Sequence, residues 1–330
     1  MKIAINGFGR IGRIFFRQAH KHPEIEIVAI NDLADKDNLV YLLRNDSVHG
    51  KFEISEEEMA GIDFFQERNP ADLPWGDMGI DIVVESTGFF TSYEKAKAHL
   101  DAGAKRVVIS APAKDPEESP DKAGIMTPNV GVEAAIKSRI TSNASCTTNA
   151  VSPVVSVMMK NPGIKKAILS TVHGYTASQG LVDKPDAKDW RRGRAAAENI
   201  VPSTTGAAIA TAKAIPEMKD KFDGVALRIP VVTGSIIDFT FLAERATSVE
   251  EINEIFRDAA QKPEWKGILR VAEGPLVSTD IIGSPYGSII DPDFTRVIGG
   301  DLVKIFSWYD NEWGYCAMLL KHVETLKNYL

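Results

Sequence analysis

The chain has 330 residues, 44% hydrophobic and 25% charged, with a formal net charge of −7. That length allows two domains or one large one, and the acidic balance argues against a dedicated nucleic-acid binder, which carries a basic footprint. No apolar run reaches the roughly 18–20 residues that span a bilayer, the opening MKIAINGFGR lacks a signal peptide's apolar region, and two cysteines far apart form neither a disulfide framework nor a CxxC metal site, so a cytoplasmic protein without a metal is predicted.

In chain order, short Ile- and Val-rich runs stand at residues 3–5, 25–30, 81–84 and 107–109. Helix-like stretches lie between them, at 11–20 and 92–102. Strands buried on both faces read as continuous apolar runs, and intervening helices imply parallel pairing. The first half is therefore predicted to be a doubly wound α/β sheet.

The first strand ends in Asn6-Gly7-Phe8-Gly9-Arg10-Ile11-Gly12, so Gly7, Gly9 and Gly12 satisfy GxGxxG. The first glycine permits a tight turn, the second a close approach to a pyrophosphate, the third close packing of helix on strand. A glycine turn of this spacing has no need of a ligand. Its place between strand and helix, with Asp32 twenty residues after Gly12 at the end of the second strand, points to a dinucleotide. Asp32 would hold ribose hydroxyls and repel a 2′-phosphate, so NAD is predicted over NADP.

Residues 142–151 read SNASCTTNAV. A structural cysteine is usually packed among apolar side chains and inert, whereas Cys146 has small polar neighbours. The pattern after it turns helical, and Pro153 is expected in the first turn of that helix. Cys146 then lies at or just before a helix N-terminus, where the dipole favours a thiolate and lowers its pKa. Of six histidines, His20 and His22 read as solvated, His99 and His322 as surface positions on polar helices, and His49 as a loop residue. His173 ends the apolar run 167–172, a core strand, and is the candidate base for Cys146.

A thiol and an imidazole beside a dinucleotide site suggest aldehyde oxidation: the sulfur attacks the carbonyl, hydride leaves to the nicotinamide, and an acceptor discharges the thioester. Ser145 and Thr147 flank the cysteine, and Ser203-Thr204-Thr205-Gly206 precedes a helical run, so hydroxyls and N–H groups there can bind phosphate. Arg228 interrupts an apolar strand; a buried arginine needs a partner, either an anionic substrate or a structural ion pair.

These pieces together resemble the phosphorylating glyceraldehyde-3-phosphate dehydrogenases of the bacterial type. The resemblance runs essentially end to end through NGFGRIGR (6–13), AINDL (29–33), ESTGFF (85–90), SAPAKD (110–115), SNASCTTN (142–149), STVHGYT (170–176), STTGAA (203–208) and SWYDNEWGY (307–315). It implies an NAD-binding domain over 1–146, with a C-terminal helix at about 313–330 packing back on it. It further implies an α+β catalytic domain over 147–312 with a largely antiparallel sheet. Cys146 is implied as nucleophile and His173 as base. Ser145, Thr147, Thr205 and Gly206 are implied to line the inorganic-phosphate site, and Thr176, Arg228 and Arg192 to hold the substrate's phosphate. Arg10, Ile11, Asp32, Arg68, Ser110 and Asn311 are implied to touch NAD. The implied reaction converts glyceraldehyde 3-phosphate, phosphate and NAD⁺ to 1,3-bisphosphoglycerate and NADH, a glycolytic step, in a homotetramer whose 178–200 loop crosses a subunit interface.

The chain departs from that pattern in places. Residues 51–66 are short where relatives carry a longer hairpin, residues 115–130 do not match the usual motif, Ala150 replaces a second cysteine, and Ser178 stands where some relatives have aspartate. Lys184, before Pro185 in the interface loop, is expected to offset Asp32 of a neighbouring subunit and permit some NADP use. The nearest alternative activity is erythrose-4-phosphate dehydrogenase, which discharges the thioester with water; the phosphate-binding set favours phosphorylation. A semialdehyde dehydrogenase would lack the WYDNEWGY run, and a surface-binding side role is compatible with the sequence.

Overall fold

A computed structural model describes all 330 residues. The chain divides into two compact units, Met1–Ser145 with Cys316–Leu330, and Cys146–Tyr315.

The first unit is built on seven parallel strands in the order 63–65, 26–31, 2–6, 82–85, 106–109, 140–142, 124–125. The central strands carry Ile3, Ile5, Val83, Val84, Val107 and Val108 with no exposed surface, as expected of strands covered on both faces. From the first strand the chain winds outward through 26–31 and 63–65, then returns to the other side of 2–6 at 82–85. Such a reversal opens a crevice beyond the carboxyl ends of the two central strands, where doubly wound sheets bind ligands. Helix Arg10–Ala19 turns Ile14, Phe15 and Phe16 inward; burying each such side chain contributes about 1.5–3 kcal/mol. Residues 51–66 form a helix, Glu56–Ala60, started by a Ser55/Glu58 capping box, and an edge strand, Asp63–Phe65. The 115–130 segment contributes the short outer strand Gly124–Ile125.

Two histidines in this unit correct the sequence reading. His99 and His322 are fully buried, not at the surface. Each sits on a helix whose charged residues suggest a solvated face, but each points inward to polar partners. His99 meets Glu85 and Trp75; His322 meets Thr141 and Asn143.

The second unit has a mixed, largely antiparallel sheet in the order 201–204, 222–229, 164–174, 235–243, 302–309, 288–298, 269–271. Only two of its strand pairs, 164–174 with 222–229 and 269–271 with 288–298, are parallel. Strand Ser235–Ala243 alternates fully buried with half-buried residues, the period-2 pattern of a sheet with one covered face. Helices Cys146–Lys160, Ala207–Ala214 and Val249–Gln261 pack against the sheet. Pro153 lies inside helix Cys146–Lys160, eight positions in, and not in its first turn. It lacks the N–H that would reach the Asn149 carbonyl; the helix persists because its middle is buried on most sides, from Thr147 to Val155.

Candidate active site

The dinucleotide turn follows from the strand order. Gly7 has φ +93°, a left-handed conformation that favours glycine, and a Cβ there would come 2.6 Å from Thr87 N. At Gly12 a Cβ would collide with the Gly7 carbonyl oxygen, so the helix can start this close to the strand only with glycine. At Gly9 a Cβ would meet nothing within 4 Å; the space over this residue is open. Gly9 caps helix Arg10–Ala19 with no side-chain hydrogen bond, so the helix's first N–H groups are not taken by a capping side chain. The carboxylate of Asp32 accepts from Phe8 N at 2.7 Å and Ala34 N at 2.9 Å, which fixes it beside the turn. A backbone cradle of this kind, open over its second glycine and bordered by a carboxylate, fits a dinucleotide with free ribose hydroxyls.

The other residues expected at the cofactor are divided between the two units. Ile11 is in the first turn of the helix. Arg10 pairs with Asp46 at 2.6 Å. Ser110 follows strand 106–109 and donates its backbone N–H to Glu85 O, and Arg68 is exposed just after strand 63–65. Asn311 belongs to the second unit. Its Oδ1 accepts from Gly234 N, Thr233 Oγ1 and Ser235 Oγ at 2.8–3.2 Å, so what it offers a ligand is its amide N–H.

In the second unit Cys146 is the first residue of its helix, and Sγ lies 3.3 Å from Nε2 of His173. His173 is the penultimate residue of strand Ile164–Gly174 and is buried. Its Nδ1 is 2.6 Å from Gly174 O. Gly174 O can only accept and the Arg228 guanidinium beside the same nitrogen can only donate, so the two contacts call for opposite tautomers; the one with its proton on Nδ1 turns the Nε2 lone pair to the sulfur. Arg228, beside His173 on the neighbouring parallel strand, brings Nη1 to 2.7 Å from Nδ1. The side-chain partner of Arg228 is His173, and no salt bridge to a carboxylate is formed by it.

The electrostatics differ from those expected of a helix terminus alone. Burial pushes the Cys146 thiol up, opposed by the Arg228 cation and by hydrogen bonds from Thr147. Burial, and next the Arg228 cation, pull His173 down to about 3. Burial thus favours the neutral thiol and the neutral imidazole, against the helix dipole and the Arg228 cation at the sulfur.

Tyr309 was not singled out by the sequence, yet it joins this cluster. Its hydroxyl bridges Thr147 Oγ1 and Thr171 Oγ1 at 2.9 Å each, and its ring meets His173 edge-on. The signal was its inward parity on strand Leu302–Tyr309. Thr176, Ser178 and Arg192 form a chain, with Ser178 Oγ 2.9 Å from Thr176 Oγ1 and 3.0 Å from Arg192 Nη2. Ser178, a departure expected to alter the substrate-phosphate site slightly, is the link between two expected phosphate ligands. Thr205 Oγ1 accepts from Ala207 N, and Gly206 starts helix Ala207–Ala214 with no side-chain cap. Ser145 is half-buried, immediately before the cysteine.

A doubly wound dinucleotide turn in one unit and a thiol–imidazole pair in the other define the class: dehydrogenases that oxidise an aldehyde on a cysteine. Comparison with known proteins is specific. Residues 1–93 match the family described as "Glyceraldehyde 3-phosphate dehydrogenase, NAD binding domain", and residues 145–311 match "Glyceraldehyde 3-phosphate dehydrogenase, C-terminal domain". Relatives named glyceraldehyde-3-phosphate dehydrogenase include one from Streptomyces coelicolor, 46% identical over 97% of this chain and 96% of its own. One from Geobacillus stearothermophilus is 47% identical over 96% and 95%, and one from the fungus Colletotrichum lindemuthianum 44% identical over 97% and 95%. The chain belongs to the glyceraldehyde 3-phosphate dehydrogenase family.

Proposed function

We propose that this protein oxidises and phosphorylates glyceraldehyde 3-phosphate with NAD⁺ to give 1,3-bisphosphoglycerate, the glycolytic reaction. The observation that carries this reading is the 3.3 Å contact of Cys146 Sγ with His173 Nε2, beside an arginine without a carboxylate.

Sγ attacks the aldehyde carbon as Nε2 takes the thiol proton and returns it to the new oxyanion, giving a thiohemiacetal on Cys146. NAD, when bound, supplies the hydride acceptor. Nε2 takes the thiohemiacetal hydroxyl proton as the carbonyl re-forms, leaving a thioester. An oxygen of inorganic phosphate then attacks the thioester carbon, the C–S bond breaks, and the sulfur leaves with the Nε2 proton. Arg228, Thr176 and Arg192 hold the substrate's phosphate, with Ser178 bridging the last two. Ser145, Thr147, Thr205 and the N–H groups above Gly206 hold the attacking phosphate. Gly7, Gly9, Arg10, Ile11, Gly12, Asp32, Arg68, Ser110 and Asn311 hold the cofactor, with Asp32 selecting NAD.

We further infer a homo-oligomer, a tetramer by family likeness, working in the cytoplasm. One face of the second unit's sheet leaves Ile168, Val225 and Ile298 half to two-thirds exposed, and Trp190 in the 178–200 loop is 86% exposed. Such apolar exposure suits burial against other copies. No helix is long and apolar enough to cross a membrane.

The test is NADH formation from glyceraldehyde 3-phosphate and NAD⁺, with and without inorganic phosphate, and with erythrose 4-phosphate as rival substrate. Fast, phosphate-dependent turnover of the triose is expected. Slow turnover that ignores phosphate and prefers the four-carbon sugar would overturn the phosphorylating reading.

A further inference from the structure

The carboxyl end of strand Ile82–Glu85 carries a buried charge that the proposed chemistry does not use. Glu85 is 1% exposed. Its Oε1 accepts from the backbone N–H of Thr87 at 2.8 Å and from the Thr87 hydroxyl. Its Oε2 accepts from Asn6 Nδ2 at 2.5 Å and from His99 Nε2 at 3.1 Å. All four lone-pair sites of a carboxylate are thereby filled by donors.

None of those donors is a cation. His99 is the one partner that could become charged, but its Nδ1 accepts from Trp75 Nε1 at 3.0 Å. An indole N–H only donates, so Nδ1 carries no proton and the single ring proton sits on Nε2, facing Glu85. No Lys or Arg side chain is among the four donors, so the carboxylate has no such counter-ion, in a buried place where a charge is poorly screened.

The position of this charge is specific. Asn6 is the last residue before the glycine turn, and its Oδ1 accepts from Asn31, which immediately precedes Asp32. Ser86 Oγ donates to Gly7 O at 2.7 Å, and Gly7 packs against Thr87 N. The carboxylate therefore lies directly behind the dinucleotide turn, at the point where the strand order reverses. Its hydrogen bonds fix the Ser86–Gly88 side of that crevice.

We propose that Glu85 is a charge-selective element of the dinucleotide site, favouring the oxidised cofactor, whose nicotinamide ring is positively charged, over the reduced form, whose ring is neutral. This rests on the NAD reading above. A group that acted only by holding the loop would change the affinity for both forms alike; an uncompensated charge changes their ratio.

The experiment is equilibrium binding of NAD⁺ and of NADH to the full protein without substrate, followed by calorimetry, for the unaltered chain, Glu85→Gln and Thr87→Val. For Glu85→Gln the affinity ratio of NAD⁺ to NADH is expected to fall by about fivefold or more, the scale of one buried charge acting over nanometre distances. Thr87→Val keeps the carboxylate and removes only the hydroxyl that donates to Oε1, so any loss of affinity is expected to be the same for both forms, which tests the idea even where Glu85→Gln does not fold. A folded Glu85→Gln protein with both affinities moved by the same factor, or a Thr87→Val ratio that falls, would overturn the inference alone. An unaltered protein that binds neither form would overturn the NAD reading, and the inference with it.

Discussion

Arg228 Nη1 lies 2.7 Å from Nδ1 of His173 on the adjacent strand, and the pair shares Gly174 O. Burial first, and then a cation this close to the ring, oppose a charged imidazole. The same cation favours a charged sulfur at Cys146. One arginine thus keeps the base neutral, steadies the thiolate as it forms, and waits for an anion.

Replacing Arg228 with glutamine tests this double role. Without the cation His173 rises toward the ordinary histidine range, while the Cys146 thiol rises further because its main stabilising charge is gone. Alkylation of Cys146 by iodoacetamide at pH 7.5 is expected to slow. The KM for glyceraldehyde 3-phosphate is expected to rise about 10- to 100-fold, the loss of a charged hydrogen bond. Unchanged KM and unchanged alkylation together would remove Arg228 from the site.

The raised thiol has its own signature. A cysteine depressed by an imidazolium would alkylate at a rate that levels off near neutral pH. Burial instead leaves little thiolate at pH 7, so the rate for the free protein should still climb through and beyond about pH 8.5, the ordinary thiol value. A plateau by pH 7 would show that the helix N-terminus and His173 outweigh desolvation. Cys146→Ser should abolish turnover while NAD still binds, and His173→Asn should lower kcat by about 10²–10⁴, the usual loss of general-base help. Substantial turnover by the serine variant would withdraw the nucleophile assignment.

Much of this architecture was legible in the residues. The Ile- and Val-rich runs located the parallel strands because burial on both faces leaves no room for polar alternation, and Gly7, Gly9 and Gly12 announced a turn only glycine can make. Cys146 and His173 were legible because each breaks its local pattern, one polar around a thiol, the other a histidine ending an apolar run. His99 and His322 were not. Their neighbours on the helix are charged, and nothing in a helical repeat shows that a distant Trp75 or Thr141 will satisfy an inward imidazole. The direction of the Cys146 shift was hidden for the same reason: the dipole is a local property read from the helix start, whereas desolvation depends on strands far away in the chain. Tyr309 needed the register of strand 302–309 against 235–243 before its hydroxyl could be placed.

Gly12→Ala probes the cradle without touching a charge. The new methyl would collide with the Gly7 carbonyl oxygen, which is backbone and cannot swing aside, so the helix must back away from the turn. NAD binding is expected to weaken at least tenfold, with the rate of Cys146 alkylation unchanged, since the cysteine belongs to the other unit. Gly9→Ala differs: its methyl meets no protein atom, so it should fold normally and weaken NAD only by filling the space that a pyrophosphate would take. Calorimetric titration of both variants separates the two cases. Wild-type affinity in Gly9→Ala would show that no phosphate approaches that backbone.

The buried His322 makes stability depend on pH in a direction that can be worked out. Its Nδ1 meets Asn143 Oδ1 at 3.2 Å and its Nε2 meets Thr141 Oγ1 at 2.8 Å, and burial holds it down to about 3. The unfolded chain protonates its histidine at about 6.5. Above that value neither state binds the proton and nothing is lost. As pH falls below it the unfolded chain gains a proton that the folded protein refuses, so stability drops by about 1.4 kcal/mol per pH unit until the folded value is reached. Between pH 7 and pH 5 this amounts to about 2 kcal/mol from His322. His173, held equally low, adds a similar loss. Glutamine at 322 can still bond Thr141 and Asn143 but does not titrate. The His322→Gln protein should therefore lose about 2 kcal/mol less on going from pH 7 to pH 5, measured by urea unfolding at both values. Equal losses in the two proteins would mean that the imidazole is protonated, or exposed, in the folded state.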